Sequence, residues 1–500
     1  MSQLALIWAV ALITVAAITP LIIGLMWRLK ILDAPDGVRK LHGRTVPLAG
    51  GLAILAGGLV ASGLAFLISP QVLLGRGGNT LFAIGLGCAS LWVSLLGIAD
   101  DRGLLRGRQK FLGQIVGALI LTSCGCVISH LEFMDHTFEL GMFSIPFTVF
   151  WLVGAINAVN LMDGVDGLAT SIGAILSGTF AIMATIMGHP LEAMLAVTLC
   201  GALFGFLPYN FPRARIFLGD TGSMLIGLIL GTLAMRSSVK SQASLAFAAP
   251  VAVLSVLIFD VVMAILRRKL TGRSLYSTDR GHLHHRLTQL GFPPTGVVLF
   301  VSLACVLCSA GAIASLVHRN DWLAIAVAGT ILLSCVVAKI FGHNEFRLLL
   351  NRTKSLLKSI FQLSSKAGSS KGVQSAMQIQ GHLNWGPVWQ ELRELALSLD
   401  LIRVELHISA PRFHEHYHAD WARRTVEADG PWQTTVPLLN HGTIVGRISL
   451  WGELSTSSSL SSAEQLADIL HSLKPTEFQI EELLSSAAQP ELAPLEKSVA

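Results

Sequence analysis

Charge is what this 500-residue chain most lacks: Asp, Glu, Lys and Arg make up 13% of it, against 52% hydrophobic residues and a mean hydropathy of +0.62. A soluble domain carries about 25% charged residues, so a soluble fold for the whole chain is excluded. Cysteine is also sparse. Cys88, Cys124, Cys126, Cys200, Cys305, Cys308 and Cys335 all lie in or beside apolar runs. They outline neither a disulfide framework nor a zinc pattern, and Cys124 and Cys126 lack the CxxC spacing. The first apolar run, Leu4–Met26, has no basic segment before it and no small-residue cleavage site after it. It reads as a retained helix.

What is present is long apolar runs as far as residue 342, then a charged, Ser-rich tail. A spanning helix needs about 20 mostly apolar residues, because lipid leaves the backbone no other hydrogen-bond partners. About eleven segments qualify: Leu4–Met26, Leu48–Ile68, Leu81–Ala99, Phe111–Ser129, Ile145–Leu161, Leu168–Met187, Leu191–Leu207, Thr221–Met235, Leu245–Leu266, Val297–Val317 and Trp322–Phe341. The expected fold is an all-α polytopic membrane body with a small α/β domain at its C-terminus.

Basic residues in short loops set orientation. One set of alternate loops carries Arg28, Lys30, Arg39, Lys40 and Arg44; Arg102, Arg106, Arg108 and Lys110; Arg213 and Arg215; and Arg267, Arg268, Lys269, Arg273, Arg280 and Arg286. The other holds only Arg76, Arg236, Lys240 and Arg319. The first set is expected in the cytoplasm, which puts the N-terminus outside and the C-terminal tail inside. The expected divisions are a membrane domain over 1–342, a basic linker over 343–380, an accessory α/β domain over 381–473 and a disordered tail over 474–500. Within the accessory domain, Trp385–Leu399 has helical periodicity and Ile402–Ile408 alternates like a strand. Gln433–Leu439 and Gly442–Trp451 read as a hairpin loosely similar to GAF-type sensory domains.

Ionisable groups at the edge of a bilayer are costly, so their positions carry information. Here they gather at the ends of apolar runs, in the basic loop set. Asp100 and Asp101 lie in ADDRGL, where adjacent anions need a cation and the hard oxygens suit Mg2+. NAVNLMDGVDGLA (Asn157–Ala169) sets Asn157, Asn160, Asp163 and Asp166 among glycines. In PYNFPRARIFLGDTGS (Pro208–Ser223), Asn210 precedes a helix opened by Asp220, whose free amides and dipole attract phosphate. DRGHLHHRL holds His282, His284 and His285 among arginines, a composition suited to a diphosphate. Read alone, Asp100 and Asp101 also fit a solvated loop pair balanced by Arg102, and Asn157 also fits an amide bonding neighbouring helices.

Together the four elements resemble the polyprenyl-phosphate N-acetylhexosamine-1-phosphate transferase family over residues 1–342. DDRGL and the leucine-interrupted histidines are similar to its UDP-GlcNAc branch rather than to the phospho-MurNAc-pentapeptide transferases. The resemblance implies a bacterial inner-membrane enzyme that moves GlcNAc-1-phosphate from UDP-GlcNAc to undecaprenyl phosphate, giving UMP and the first lipid-linked precursor of an envelope polysaccharide such as O-antigen. Other donors it allows are UDP-MurNAc-pentapeptide or another UDP-N-acetylhexosamine. It further implies Mg2+, with Mn2+ as a substitute, held by Asp220 with Asp101. Asp100, Asp101, Asp163 and Asp166 are the expected catalytic set, with Asp100 orienting or deprotonating the lipid phosphate. Asn157, Asn160, Asn210, Arg273, His282, His284 and His285 are expected to bind substrate. The partners expected are the UDP-sugar, undecaprenyl phosphate, membrane lipids and a second copy in a homodimer, and no nucleic acid. The competing classes are a transporter, which predicts ionisable groups at the bilayer midplane, and a sensor anchored by an inactive body.

Overall fold

The computed structural model describes residues 2–34, 45–74, 79–133, 136–211, 213–239, 248–270, 281–343, 345–346, 349–350, 373–380, 383–399, 401–410, 415–422, 432–440, 443–452, 473, 479–480 and 482–484. The chain forms two compact units, Met1–His343 and Asn344–Ala500.

Helices build the first unit: α1 Ser2–Leu29, α2 Gly51–Ile68, α3 Pro70–Leu74, α4 Asn79–Asp101, α5 Gly107–Ser123, α6 Ser144–Met162, α7 Leu168–Ile186, α8 Pro190–Asn210 and α9 Gly219–Val239. After them come α10 Ala248–Val253, α11 Ser255–Leu270, α12 Leu283–Gln289, α13 Pro294–His318 and α14 Asp321–Val337. Each apolar segment read from the sequence overlaps a helix, the ninth being broken between α10 and α11. Among the described residues seven helices are long and apolar enough to cross a membrane. Their outward faces carry large apolar side chains, such as Ile13, Leu21, Leu59, Leu67, Phe150 and Leu299, as lipid contact requires. The protein is an integral, polytopic membrane protein.

Small residues let these helices approach closely. Gly201 and Gly205 of α8 face backbone carbonyls of α1: a Cβ at either would lie 2.4 Å from Trp8 O or 2.3 Å from Leu12 O. One turn on, Tyr209 Oη donates to Ala16 O at 2.9 Å. Helix α9 runs through the interior, with Met224, Leu225, Ile226, Leu228, Leu230, Leu233 and Met235 all buried. At its far end Arg236, expected in a loop, lies inside the helix. It forms an ion pair with buried Glu192 at 2.6 Å, and its guanidinium lies 4.0 Å over the Phe82 ring.

In the second unit β5 Val373–Gln380, β6 Arg403–Ala410, β7 Glu415–Ala422, β8 Trp432–Asn440 and β9 Thr443–Gly452 pair antiparallel in the order β5-β7-β6-β9-β8. Strands β1 to β4 are short pairs in the first unit, Leu32–Asp33 with Val46–Pro47 and His130–Phe133 with His136–Glu139. Helix α15, Gly386–Ser398, shares a core with the sheet through Val388, Trp389, Leu392 and Ala396, against Val404, Leu406 and Ile408. Fully buried Glu415 accepts from Leu383 N (3.0 Å) and Trp385 Nε1 (2.9 Å), tying the approach to α15 onto β7. Two boundaries need correction. Strand β5 lies in the stretch read as linker, and Ile480 and Leu484, in the stretch read as disordered, are buried in this core one helical turn apart.

Candidate active site

The site begins where three helix ends meet without side chains between them. A Cβ on Gly51 of α2 would lie 2.3 Å from Gly222 Cα, and one on Gly97 of α4 would lie 2.3 Å from Thr221 Cα. Helix α9 therefore starts against the backbones of α2 and α4. Gly219, at φ +71°, makes the turn into it, and a Cβ there would meet Asp101 Oδ2 at 2.6 Å.

Asp101, at the end of α4, caps this helix from outside. Its Oδ1 accepts from Asp220 N at 2.8 Å, and its Oδ2 accepts from Thr221 Oγ1 at 2.7 Å and Thr221 N at 3.3 Å. Such bonds satisfy amides that a helix start leaves unpaired. The consequence is that Asp101 fixes Asp220 in place.

Around Asp220 converge groups from three other elements. Lys110 Nζ of α5 lies 2.7 Å from Asp220 Oδ2 and 2.8 Å from Asp100 Oδ2. Asn160 of α6 donates to Asp220 Oδ1 at 2.5 Å and to Ser223 Oγ at 2.9 Å, while its own Oδ1 accepts from Lys110 Nζ at 3.3 Å. By sequence alone Lys110 is one of the basic residues of a short loop. The structure makes it the cation that contacts two neighbouring carboxylates.

Other expected residues serve the walls. Asn157 donates to Gln114 Oε1 (2.7 Å) and Val153 O (2.8 Å), so its amide locks α6 to α5. Buried Asn210 accepts from Thr170 Oγ1 (2.8 Å) and donates to Ile216 O (3.1 Å), tying α7 to the approach to α9. Asp166 Oδ2 accepts from Ala214 N at 3.0 Å, holding the same approach. Asp163 caps the C-terminus of α6 and is half-buried. Desolvation, joined by the negative charges of Asp220, Asp101 and Asp166, pushes its carboxyl well above the usual range.

The histidine motif opens α12, and it reaches the acidic loop through His284. A Cβ on Gly164 would lie 2.1 Å from His284 Nε2, so only glycine fits there. His284 stacks near-parallel to His282 at 6.1 Å and lies 4.2 Å from His285, centroid to centroid. It is 2% exposed. Among the described residues neither of its ring nitrogens has a hydrogen-bond partner. Burial, reinforced by His285 and His282, pushes its imidazole well below the ordinary histidine range. His282 Nδ1 lies 2.7 Å from Oδ2 of Asp260, a fully buried α11 residue whose place inside an apolar run hides it in the sequence. Arg273 lies outside the described residues.

Asp100, Asp220, Asn160 and Lys110 thus form one polar cluster, with Asp101 behind it, and the histidines form a second that touches the Asn157–Ala169 segment. Among the described residues no three carboxylate, imidazole or thiol groups make a closed metal cage. The first cluster has the composition of a site for anionic phosphates and a hard cation.

The chain matches the model of glycosyl transferase family 4 over residues 83–238, a span that includes the first cluster. It is 33% identical over 363 residues to a probable undecaprenyl-phosphate N-acetylglucosaminyl 1-phosphate transferase of Bacillus subtilis, covering 72% of this chain and 98% of that protein. Decaprenyl-phosphate N-acetylglucosaminephosphotransferase of Mycobacterium leprae is 34% identical over 333 residues, 60% of this chain and 81% of that one. Phospho-N-acetylmuramoyl-pentapeptide-transferase of Staphylococcus saprophyticus is 32% identical over 314 residues, 58% of this chain and 92% of that one. Similarity that runs almost the whole length of such a relative, with the acidic helix ends brought together as described, means that this chain belongs to the polyprenyl-phosphate N-acetylhexosamine-1-phosphate transferases of glycosyl transferase family 4.

Proposed function

We propose that the protein transfers GlcNAc-1-phosphate from UDP-GlcNAc to undecaprenyl phosphate at the cytoplasmic face of a bacterial inner membrane, through eleven crossings with the N-terminus outside. The observation that carries this reading is the Asp100–Lys110–Asp220–Asn160 cluster at the meeting of four helix ends. An oxygen of the lipid phosphate attacks the sugar-bearing phosphorus of the donor, the bond from that phosphorus to the bridging oxygen breaks, and UMP leaves with the electron pair.

Such a transfer needs alignment and charge compensation more than covalent help. Lys110 supplies a fixed positive charge between two acids, and Asn160 keeps Asp220 turned toward it. Asp100 lies beside the same ammonium, where it orients the incoming phosphate. Asp101 holds the start of α9, and the histidines of α12 contribute donors for diphosphate or sugar. Mg2+ fits the donor set, since it takes one or two carboxylates and fills its shell with water and phosphate oxygens. Asp220, together with Asp100 or Asp101, would hold it, and when bound it supplies charge neutralisation on the diphosphate.

UDP-GlcNAc is favoured over UDP-MurNAc-pentapeptide by DDRGL, by GHLHH and by the greater coverage of the Bacillus relative. The test is UMP release by protein in detergent from each donor, with and without undecaprenyl phosphate and Mg2+. Release is expected from UDP-GlcNAc only with both additions. Asp220→Ala should lower it roughly 100- to 1000-fold, the range for loss of one preorganised electrostatic group. Turnover with UDP-MurNAc-pentapeptide alone would replace the donor, and no turnover with any donor by folded protein would refute the activity.

A further inference from the structure

Asp260 is a carboxylate with no surface exposure, set in the apolar stretch of α11 that precedes the basic last turn, Arg267, Arg268 and Lys269. An acid in such a place is held there by partners. Its Oδ1 accepts from Leu283 N at 2.8 Å and its Oδ2 meets His282 Nδ1 at 2.7 Å. Two turns along the same helix, buried Arg267 donates from Nη2 to Gly281 O at 2.8 Å. One face of α11 thus grips three consecutive residues, Gly281, His282 and Leu283, where α12 begins. His282 is itself buried, with its ring parallel to that of His284, which rests on Gly164 of the acidic segment.

We propose that Asp260 is a positioning residue for the transfer reaction: it holds His282 as the Nδ1–H tautomer and seats the start of α12, leaving Nε2 as the nitrogen offered to the UDP-sugar. A carboxylate that already accepts a backbone N–H at one oxygen accepts the imidazole N–H at the other, and the bond at one ring nitrogen decides the role of the second. Nε2 then accepts from a donor hydroxyl or amide while the ring is neutral, and donates to a diphosphate oxygen when the ring is protonated. The substrate assignment rests on the reaction proposed above. The clamp itself does not.

The test uses the full-length protein with Asp260→Asn, which keeps size but can accept at one oxygen only, alone and combined with His282→Ala. Asp260→Asn is expected to lower kcat/KM for UDP-GlcNAc by about 10- to 100-fold, the usual cost of losing an orienting partner. In the His282→Ala background the same change should cost less than about twofold, because the residue it acts through is gone. An equal loss in both backgrounds would overturn the proposal and leave Asp260 a packing residue. Histidine-15N spectra, with His282 assigned by its loss in His282→Ala, should show Nδ1–H in the parent protein and a changed tautomer balance in Asp260→Asn. An Nε2–H ring in the parent would also overturn it. Absence of UMP release by the parent would sink the assigned reaction alone, and the tautomer would still decide the clamp.

Discussion

Replacing Lys110 by methionine isolates what one ammonium does between two acids. Nζ stands 2.8 Å from Asp100 and 2.7 Å from Asp220, and all three side chains are under a third exposed. At an effective dielectric constant of about 20, each contact is worth roughly 6 kcal/mol of gross Coulomb energy. Desolvation of the three groups cancels much of that sum. Breaking a buried pair by removing one partner costs about 3–5 kcal/mol, because the remaining charges stay behind uncompensated. For a body of this size that is a fall in melting midpoint of about 5–10 °C. Divalent cations should restore the variant more than they raise the parent, since metal binding contributes about 2.7 kcal/mol at a hundredfold excess over Kd and here also relieves the repulsion. The assay is thermal unfolding in detergent, with and without Mg2+, alongside UMP release, which should fall at every Mg2+ concentration. A variant that melts within about 2 °C of the parent without metal, or gains the same increment from Mg2+, would refute the reasoning.

Gly97→Ala places a methyl group 2.3 Å from Thr221 Cα, so α4 and α9 must part. A cost of about 1–3 kcal/mol in stability and a roughly 100-fold loss of UMP release are expected, measured beside Gly58→Ala, whose Cβ would meet nothing within 4 Å. Equal behaviour of the two variants would count against the close approach. His284 sets a pH dependence: its folded pKa is depressed, so its contribution to stability is intact above the unfolded value of about 6.5 and is lost as pH falls toward the folded value. His284→Gln should flatten the decline in stability below about pH 6.5 by up to about 1.4 kcal/mol per pH unit, and parallel curves for the two proteins would contradict the depressed value.

Much of this molecule is legible in its sequence because lipid permits so few solutions. Apolar length located the helices, and Asp100, Asp101 and Asp220 stood out as charges at helix ends. What escaped was pairing across the fold. Lys110 lies close to Asp101 in sequence and was counted with the basic residues of its loop, but its role depends on Asp220, which sits 110 residues away. Asp260 was hidden by the hydrophobicity of its neighbours, although a lone acid inside an apolar run is itself a signal. Asn157 and Asn210 are expected substrate ligands only through the family resemblance, and the sequence also allows Asn157 to be an amide bonding neighbouring helices. Each spends its hydrogen bonds on a neighbouring helix or loop, a distinction that only the partner's identity reveals. In the tail, β7 and β5 escaped although their sequences carry the strand period: Tyr417, Ala419 and Trp421 in EHYHADWA, and Val373, Met377 and Ile379 in VQSAMQIQ, share one parity with polar residues between them.

The seam between α1 and α8 also sets an order for synthesis. Ala16 and Tyr209, which bond across it, are separated by 193 residues, and at 5–20 residues per second the ribosome needs roughly 10–40 s to supply the second after the first. For that interval the N-terminal helix sits in the bilayer with its glycine-binding ridge open to any passing helix. Release of the chain into a finished state therefore waits on the arrival of the GALFG segment, and slowing translation between the two should lengthen the time in which membrane chaperones or proteases can engage the nascent protein.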